Sequence, residues 1–561
     1  MFGFFTSQVE NYVPNTPIKF VSRQKQGANI TLPELLKLKV PEFFKGYSYP
    51  INPILSSGHA QTAYTALNKF KSSFRVHYKR RILTIEDKTY TIPTSGEQLK
   101  YDQWNGESTI ALDYALKNHQ QSDPEHVWYK PSSQTKELPP RTEYMNPELE
   151  AGLIDNNDNK PLLVVLHGLS GGSYEAYIRA VLDKIILDPF NFDAIVINSR
   201  GCANHTITSP QLYNGLWTND LRYVVNEHIS KLWPNKRVYL MGFSLGGAIL
   251  ANYLGQEGDS ISSQIKGACI LGTPWDFPDS AIHLRESIIG HNVYSPTMCN
   301  NLLKLLDSHG ILLNNNLVKH FKDNPEEYNI KFLKQFDNYF TAKLFGLNSA
   351  DEYYRLASPV QRLMKVRVPT LILSSRDDPI TGYRTLPIQE VELNPYCTLI
   401  TTTVGGHLGW FTLTGDRWYT TPICRFLTEL DNYNVDHSSV SKEDLPHDIS
   451  TSWKYDRLVN GMLVDTPTPR TSRNQTVNNN SLASTYKWVR KLRTLASDPK
   501  SNDFLKLDYI EVNLNNSRKL INNVLKLSVT SQEYVQELDV QIEGNLIQLT
   551  QVNKELDWLD D

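Results

Sequence analysis

Cysteine is scarce. Five residues, Cys202, Cys269, Cys299, Cys397 and Cys424, lie far apart in a chain of 561, and no two form a C-x-x-C pair. Neither a zinc ribbon nor a disulfide scaffold is indicated. Long apolar runs are also missing: none reaches the roughly 18 residues a membrane-spanning helix needs. The first ten residues lack a basic segment followed by an apolar one, so no secretory signal is expected. Without one, Asn-x-Ser/Thr triplets such as those at Asn204 and Asn474 carry little weight. Nor does charge of one sign dominate: 57 basic side chains face 60 acidic ones, a net −3, which leaves no basic footprint for nucleic acid. The expectation is a soluble protein of a reducing, cytoplasmic compartment. The apolar start Met1-Phe2-Gly3-Phe4-Phe5 leaves open a weak peripheral contact with a lipid droplet or organelle membrane.

Core-forming material is ample. Twenty-nine Tyr, 20 Phe and 10 Trp in a chain that is 40% hydrophobic exclude wholesale disorder. Short continuous apolar runs occur at 161–166, 192–197, 238–242 and 265–272, and the strand pattern resumes at 370–374 and 398–403. Amphipathic stretches of helical spacing separate them at 174–187, 216–232 and 246–255, and one follows at 418–430. Alternating short strands and helices predict an α/β fold with a mostly parallel central sheet covered on both faces. Residues 276–360 interrupt the rhythm with apolar helical sequence and read as a lid insertion in a domain spanning 41–430.

Outside that domain, 1–40 reads as an N-terminal extension. Residues 431–485, rich in Ser, Asn, Asp and Thr, read as a polar linker. In 486–561, Val535, Leu538, Ile542, Leu546, Leu549, Val552, Leu556 and Leu559 recur at steps of three and four, with an earlier seam through Leu507, Leu514 and Ile521. That spacing predicts a helical, coiled-coil-like extension that folds back or meets a partner through 500–561, by self-association or with another protein.

The sharpest chemical signal is Gly242-Phe243-Ser244-Leu245-Gly246, between an apolar strand and a helix. A serine in a tight strand-to-helix turn needs small neighbours, and the helix N-terminus brings free N–H groups to its oxygen. The alternative is a glycine-rich turn with a capping serine. A hydroxyl is nearly inert unless a base takes its proton, so a histidine and an orienting carboxylate are required. His407, in Gly405-Gly406-His407-Leu408-Gly409, follows the last predicted strand, and Arg376-Asp377-Asp378-Pro379 follows the strand before it. The order Ser, Asp, His is that of the α/β-hydrolases. Asp378 is the preferred acid because the chain turns away directly after it, with Asp377 as the alternative. His167-Gly168-Leu169-Ser170-Gly171-Gly172 follows the strand at 161–166, and its turn is placed to offer the Leu169 amide, with that of Leu245, as an oxyanion hole. His167 itself reads as a brace for this loop rather than a catalytic group. No Gly-Lys-Ser/Thr follows, so the run is not a phosphate loop.

These motifs resemble the AB hydrolase 4 family over roughly residues 40–430. Further carriers are Gly58-His59-Ala60-Gln61-Thr62, Asn198-Ser199-Arg200-Gly201-Cys202, and Ala251-Asn252-Tyr253-Leu254-Gly255. The N-S-R-G-C stretch and the R-D-D-P loop are most similar to the fungal medium-chain fatty acid ethyl ester synthase/esterases and their monoacylglycerol lipase-like relatives. The resemblance implies Ser244, Asp378 and His407 as the triad of a serine esterase. It also implies a lipid-like ester as substrate and, in some members, acyl transfer from acyl-CoA to an alcohol. No cofactor or metal is called for. Where the family has Asp-Gly-Gly before Leu-Asp-Trp, this chain has Tyr101 to Trp104 and then Ala111-Leu112-Asp113-Tyr114, a change expected to touch an outer strand. The competing reading is a non-catalytic hydrolase-fold scaffold recruiting partners through its tail. Leu302, Leu303, Leu305, Leu306, Ile311 and Leu312 read either as an apolar acyl tunnel or as the core of a helical hairpin.

Overall fold

The computed structural model describes residues 5–23, 29–68, 70, 73–91, 98–117, 129–441 and 445, and beyond them the backbone of six strands. The chain divides into two compact units, 1–446 with 455–465, and 447–454 with 466–561.

The first unit is built on one sheet of eleven strands. They are β1 (Thr6–Tyr12), β2 (Ser48–Pro50), β3 (His77–Thr84), β4 (Thr109–Leu116), β5 (Thr142–Tyr144) and β6 (Leu162–Leu166). β7 (Asp193–Asn198), β8 (Val238–Phe243), β9 (Ile265–Leu271), β10 (Thr370–Ser375) and β11 (Cys397–Thr402) follow. Their spatial order is β2-β1-β11-β10-β9-β8-β6-β7-β4-β3-β5. The six central strands, β11 to β7 in that order, run parallel; antiparallel pairs flank them on each side, and the outermost pair, β3 with β5, is parallel again.

Alternation explains the burial. Leu163 and Val165 of β6 enter one apolar cluster while Leu162, Val164 and Leu166 enter another, so the strand is covered on both faces. On the first face lies α2 (Ala176–Ile185), whose Ile178, Val181, Leu182 and Ile185 repeat at helical spacing. On the second lies α3 (Leu245–Glu257), buried all round. Upstream, α1 (Gly58–Leu67) precedes both. Between β9 and β10 the chain runs through α4 (Phe277–Glu286), a π-helical turn at Gly290–Tyr294, α5 (Ser295–Asp307), a second π-helical turn at Asp337–Thr341, and α6 (Ala350–Ala357). α7 (Thr420–Leu430) closes the first face, sharing its apolar cluster with α2. All five cysteines are buried and free. Among the described residues no helix is long and apolar enough to cross a membrane.

Four expectations need correction. Residues 1–40 are not an appendage: Val9 and Glu10 of β1 pair with Thr402 and Thr401, making this segment part of the sheet. β4, which carries Ala111–Tyr114, is no outer strand but lies between β7 and β3. The stretch 431–485 is not wholly linker. Strand Tyr433–Asp436 joins Lys19–Ser22 and Asn29–Thr31 in a small sheet, and Trp453–Val459 pairs with Met462–Pro467. Finally, the described parts of 486–561 are strands, not helix: Leu505–Lys506, Lys526–Val529, Val535–Glu543 and Leu546–Gln551 form an antiparallel sheet. The leucines at steps of three and four coexist with a period of two, Leu538, Val540 and Ile542, in a β-branched segment. Pairing of Glu543 with Leu546 leaves Gly544-Asn545 between the strands, a dipeptide suited to a hairpin. Leu507, Leu514, Ile521, Val552, Leu556 and Leu559 of the expected seam lie outside the described residues, as do Met1 to Phe4 and Asn474.

Candidate active site

Ser244 stands between the end of β8 and the start of α3 with φ 52° and ψ −120°, a conformation non-glycine residues avoid. The turn is possible because its flanks are glycines in contact with one another. A Cβ on Gly242 would meet the Gly246 carbonyl oxygen at 2.6 Å, and one on Gly246 would meet the His167 carbonyl oxygen at 2.4 Å. Ser244 donates its own amide to the Leu271 carbonyl (2.9 Å), which ties the turn to β9.

Three loops at the C-terminal ends of parallel strands then meet. His407 Nε2 lies 2.9 Å from Ser244 Oγ, and His407 Nδ1 lies 2.8 Å from Asp378 Oδ2. Asp378 Oδ1 accepts the Ile380 and Thr381 amides at 2.8 and 3.1 Å. Burial works to raise the Asp378 pKa, but the imidazole beside it and these two amides outweigh burial and hold it below the ordinary carboxylate value. Asp377 faces elsewhere. Its Oδ1 accepts the Ser375 hydroxyl (2.6 Å) and the Gly405 and Gly406 amides (both 2.9 Å), so it braces the histidine loop rather than the imidazole. Burial raises its pKa, the opposite shift from its neighbour's.

The glycine-rich loop after β6 is fixed on both sides of Leu169. Tyr177 Oη accepts the Gly168 amide at 3.0 Å, and Tyr213 Oη accepts the Ser170 amide at 2.7 Å. Among the described residues, neither the Leu169 amide between them nor the first-turn amide of Leu245 donates to another backbone group. A Cβ on Gly168 would sit 3.3 Å from that of Ser244, so this loop needs glycine to come so close. His167 braces it: Nδ1 contacts the Gly168 carbonyl (2.7 Å) and Nε2 accepts the Ser199 amide (3.0 Å). Burial drives its pKa down to about 4, which keeps it neutral.

Two groups of supporting residues carry roles that composition and spacing did not reveal. In α1, Thr62 Oγ1 accepts the His407 amide (2.8 Å) while donating to the Gly58 carbonyl (2.7 Å), and Gln61 Oε1 accepts the Phe411 amide (2.8 Å). The G-H-x-Q-T motif is thus a clamp on the histidine loop. Arg417 completes it by donating to the Leu408 and Gly409 carbonyls. Beneath the N-S-R-G-C loop, Asp113 of β4 holds Arg80 through two bonds of 2.6 and 2.7 Å and accepts Asn198 Nδ2 at 2.8 Å, all fully buried. The signal available for both was a polar side chain inside an otherwise apolar element.

Ser244, Leu245 and Leu169 open into a cavity of about 120 Å³ walled by the insertion between β9 and β10. Leu302 and Leu305 line it together with Phe277, Phe336, Leu344 and Phe345. Leu302, Leu306 and Leu312 are also buried in the insertion's own core, so the leucines divide between the two expected uses.

A serine on a strained turn at the end of a parallel sheet, with an aspartate and a histidine on two later strand ends, is the arrangement of the α/β-hydrolase class. The family profile for the alpha/beta hydrolase fold matches residues 161–395. A monoacylglycerol lipase of Saccharomyces cerevisiae is 38% identical over 450 residues, covering 79% of this chain and 93% of the relative. The same yeast's medium-chain fatty acid ethyl ester synthase/esterase 2 is 32% identical over 421 residues, covering 71% and 89%. Among solved structures, the Pyrococcus furiosus esterase Pf2001 is 12% identical with TM-score 0.34, covering 64% of this chain and 95% of that one. The chain belongs to the α/β-hydrolase fold family.

Proposed function

We propose that the protein is a carboxylic ester hydrolase acting on lipid-like acyl esters, medium-chain fatty acid esters or monoacylglycerols, through Ser244, His407 and Asp378. The observation that carries this reading is the line of 2.9 and 2.8 Å contacts from Ser244 Oγ through His407 to Asp378, at the mouth of an apolar cavity. The substrate class is drawn from the yeast relatives' names.

In the first half-reaction His407 Nε2 takes the Ser244 proton as the oxygen attacks the acyl carbon. Asp378 holds Nδ1–H and so keeps the imidazole in the tautomer that accepts at Nε2. The Leu245 and Leu169 amides stabilise the tetrahedral oxyanion, and the alcohol leaves with the proton from His407. In the second, His407 takes a proton from the incoming hydroxyl as it attacks the acyl-serine, then gives that proton to Ser244 Oγ as the bond from the acyl carbon to Oγ breaks and the product leaves. Water gives an acid and an alcohol gives a new ester, so hydrolysis and acyl transfer share every step but this one. The apolar cavity wall, which disfavours water, supports acyl transfer to an alcohol as an accompanying activity.

A serine-directed fluorophosphonate should label the folded wild type and fail on Ser244→Ala, which loses at least about 10³-fold in ester turnover. Absence of labelling, or labelling that survives S244A, would favour the scaffold reading instead. Product analysis with a p-nitrophenyl acyl ester in water containing ethanol should give both acid and ethyl ester; free acid alone would remove the transfer activity.

A further inference from the structure

Among the described residues that line the Ser244 cavity, one side chain carries a carboxyl group. Asp337 lines the cavity, is 6% exposed, and begins the π-helical turn Asp337–Thr341, a distortion of helix that is frequent at functional sites. Its Oδ1 accepts the Thr341 hydroxyl at 2.6 Å and its Oδ2 accepts the Tyr354 hydroxyl at 2.7 Å. No lysine or arginine among the described residues pairs with it. Burial pushes its pKa up to about 6, against the pull of those two hydroxyls, so it is an anion at pH 8.

The remaining polar side chain nearest in kind, Ser280, already donates to the Thr381 carbonyl (2.9 Å). Asp337 differs. A carboxylate offers about four acceptor positions, and the protein fills two. Spare acceptor capacity in a cavity walled by Phe277, Leu302, Phe336, Leu344 and Phe345 is a site for a donor that arrives with the substrate.

We propose that Asp337, oriented by Thr341 and Tyr354, accepts a hydrogen bond from a hydroxyl of the substrate, so that the cavity selects hydroxyl-bearing esters over wholly apolar ones. The proposal rests on ester hydrolysis at Ser244 and deepens it by naming the substrate class. The hydroxyl has two possible sources: the free hydroxyls of a glycerol headgroup, or a hydroxyl on the acyl chain. A site built to bond a substrate hydroxyl discriminates strongly against the analogue lacking it, because the buried acceptor is then left unpaired.

The test is kcat/KM at pH 8 for the full-length protein on four esters of one medium chain length. These are the 1-monoacylglycerol, the plain ethyl ester, the ω-hydroxyacyl ethyl ester and the acylcholine. Wild type should favour one of the two hydroxyl-bearing esters over the plain ethyl ester by at least about tenfold. Whichever it is identifies the source. Asp337→Leu and Asp337→Asn should lower that ratio by about 10- to 100-fold, and Tyr354→Phe, which leaves the carboxylate in place, by less. A uniform fall on all four esters, an unchanged ratio, or acylcholine as the favoured substrate would each overturn the proposal. D337N and Y354F keep the volume of the wall if D337L fails to fold. Turnover that survives S244A removes the underlying reading; a flat ratio with S244A inactive removes this proposal alone.

Discussion

The histidine loop and the cavity wall are adjacent but built on opposite rules. The loop at Gly405–Phe411 is held by polar bonds from four segments: Thr62 and Gln61 of α1, Asp377 after β10, Thr402 of β11 and Arg417. The wall is held by apolar packing, with Leu302, Leu306, Phe336 and Phe340 in one cluster. Proton transfer needs an imidazole fixed in distance and angle, and hydrogen bonds are directional enough to fix it. An acyl chain needs exclusion of water and shape, which non-directional burial supplies. Asp337 is where the second rule is broken.

The comparison is open to attack at its strongest point first. Asp378→Asn should cost about 10⁴-fold in kcat by losing the acceptor that sets the imidazole tautomer. Asp377→Asn, which touches only the loop's amides, should cost far less. Equal losses measured on a p-nitrophenyl ester would erase the distinction between the two carboxylates. Next, Thr62→Ala should lower kcat by about 10-fold with little change in KM, and Thr62→Ser should restore it, since the hydroxyl alone accepts the His407 amide. A change in KM alone would instead place Thr62 with the cavity.

The smallest expected effect concerns pH. A carboxyl whose pKa rises on folding, from ~3.9 unfolded to about 6 at Asp337, is bound to its proton more tightly in the folded state. Its stabilising share is complete below pH ~3.9 and is lost as pH rises through about 6. Asp337→Asn should therefore stabilise the fold relative to wild type more at pH 8 than at pH 4.5, by on the order of 3 kcal/mol or less, seen as a larger rise in Tm at the higher pH. A difference in Tm independent of pH, measured by calorimetry, would show that the wall tolerates the anion without cost.

Much of this was legible in the chain. The six parallel strands fall where short runs rich in apolar and β-branched residues occur, because a strand buried on both faces favours such side chains. Ser244 was legible because a strained turn demands glycine on both sides, a demand that is local. The tail was not. Leu538 and Ile542 fit a helical period and, with Val540 between them, a strand period as well, and a short apolar pattern cannot choose between them. β1 escaped notice because a short strand with only two buried residues has a weak pattern, and its partner Thr402 lies almost four hundred residues away.

The amino-acid order by itself determined the α/β class, the Ser244 turn and the succession Ser, Asp, His, since each is marked by short local motifs. Only the tertiary structure decided which of two adjacent aspartates meets the imidazole, that Gly58-His59-Ala60-Gln61-Thr62 clamps the histidine loop, and that one carboxylate stands in an apolar wall. Those facts depend on where side chains from separate segments point once the sheet has brought them together, and local pattern holds no record of that.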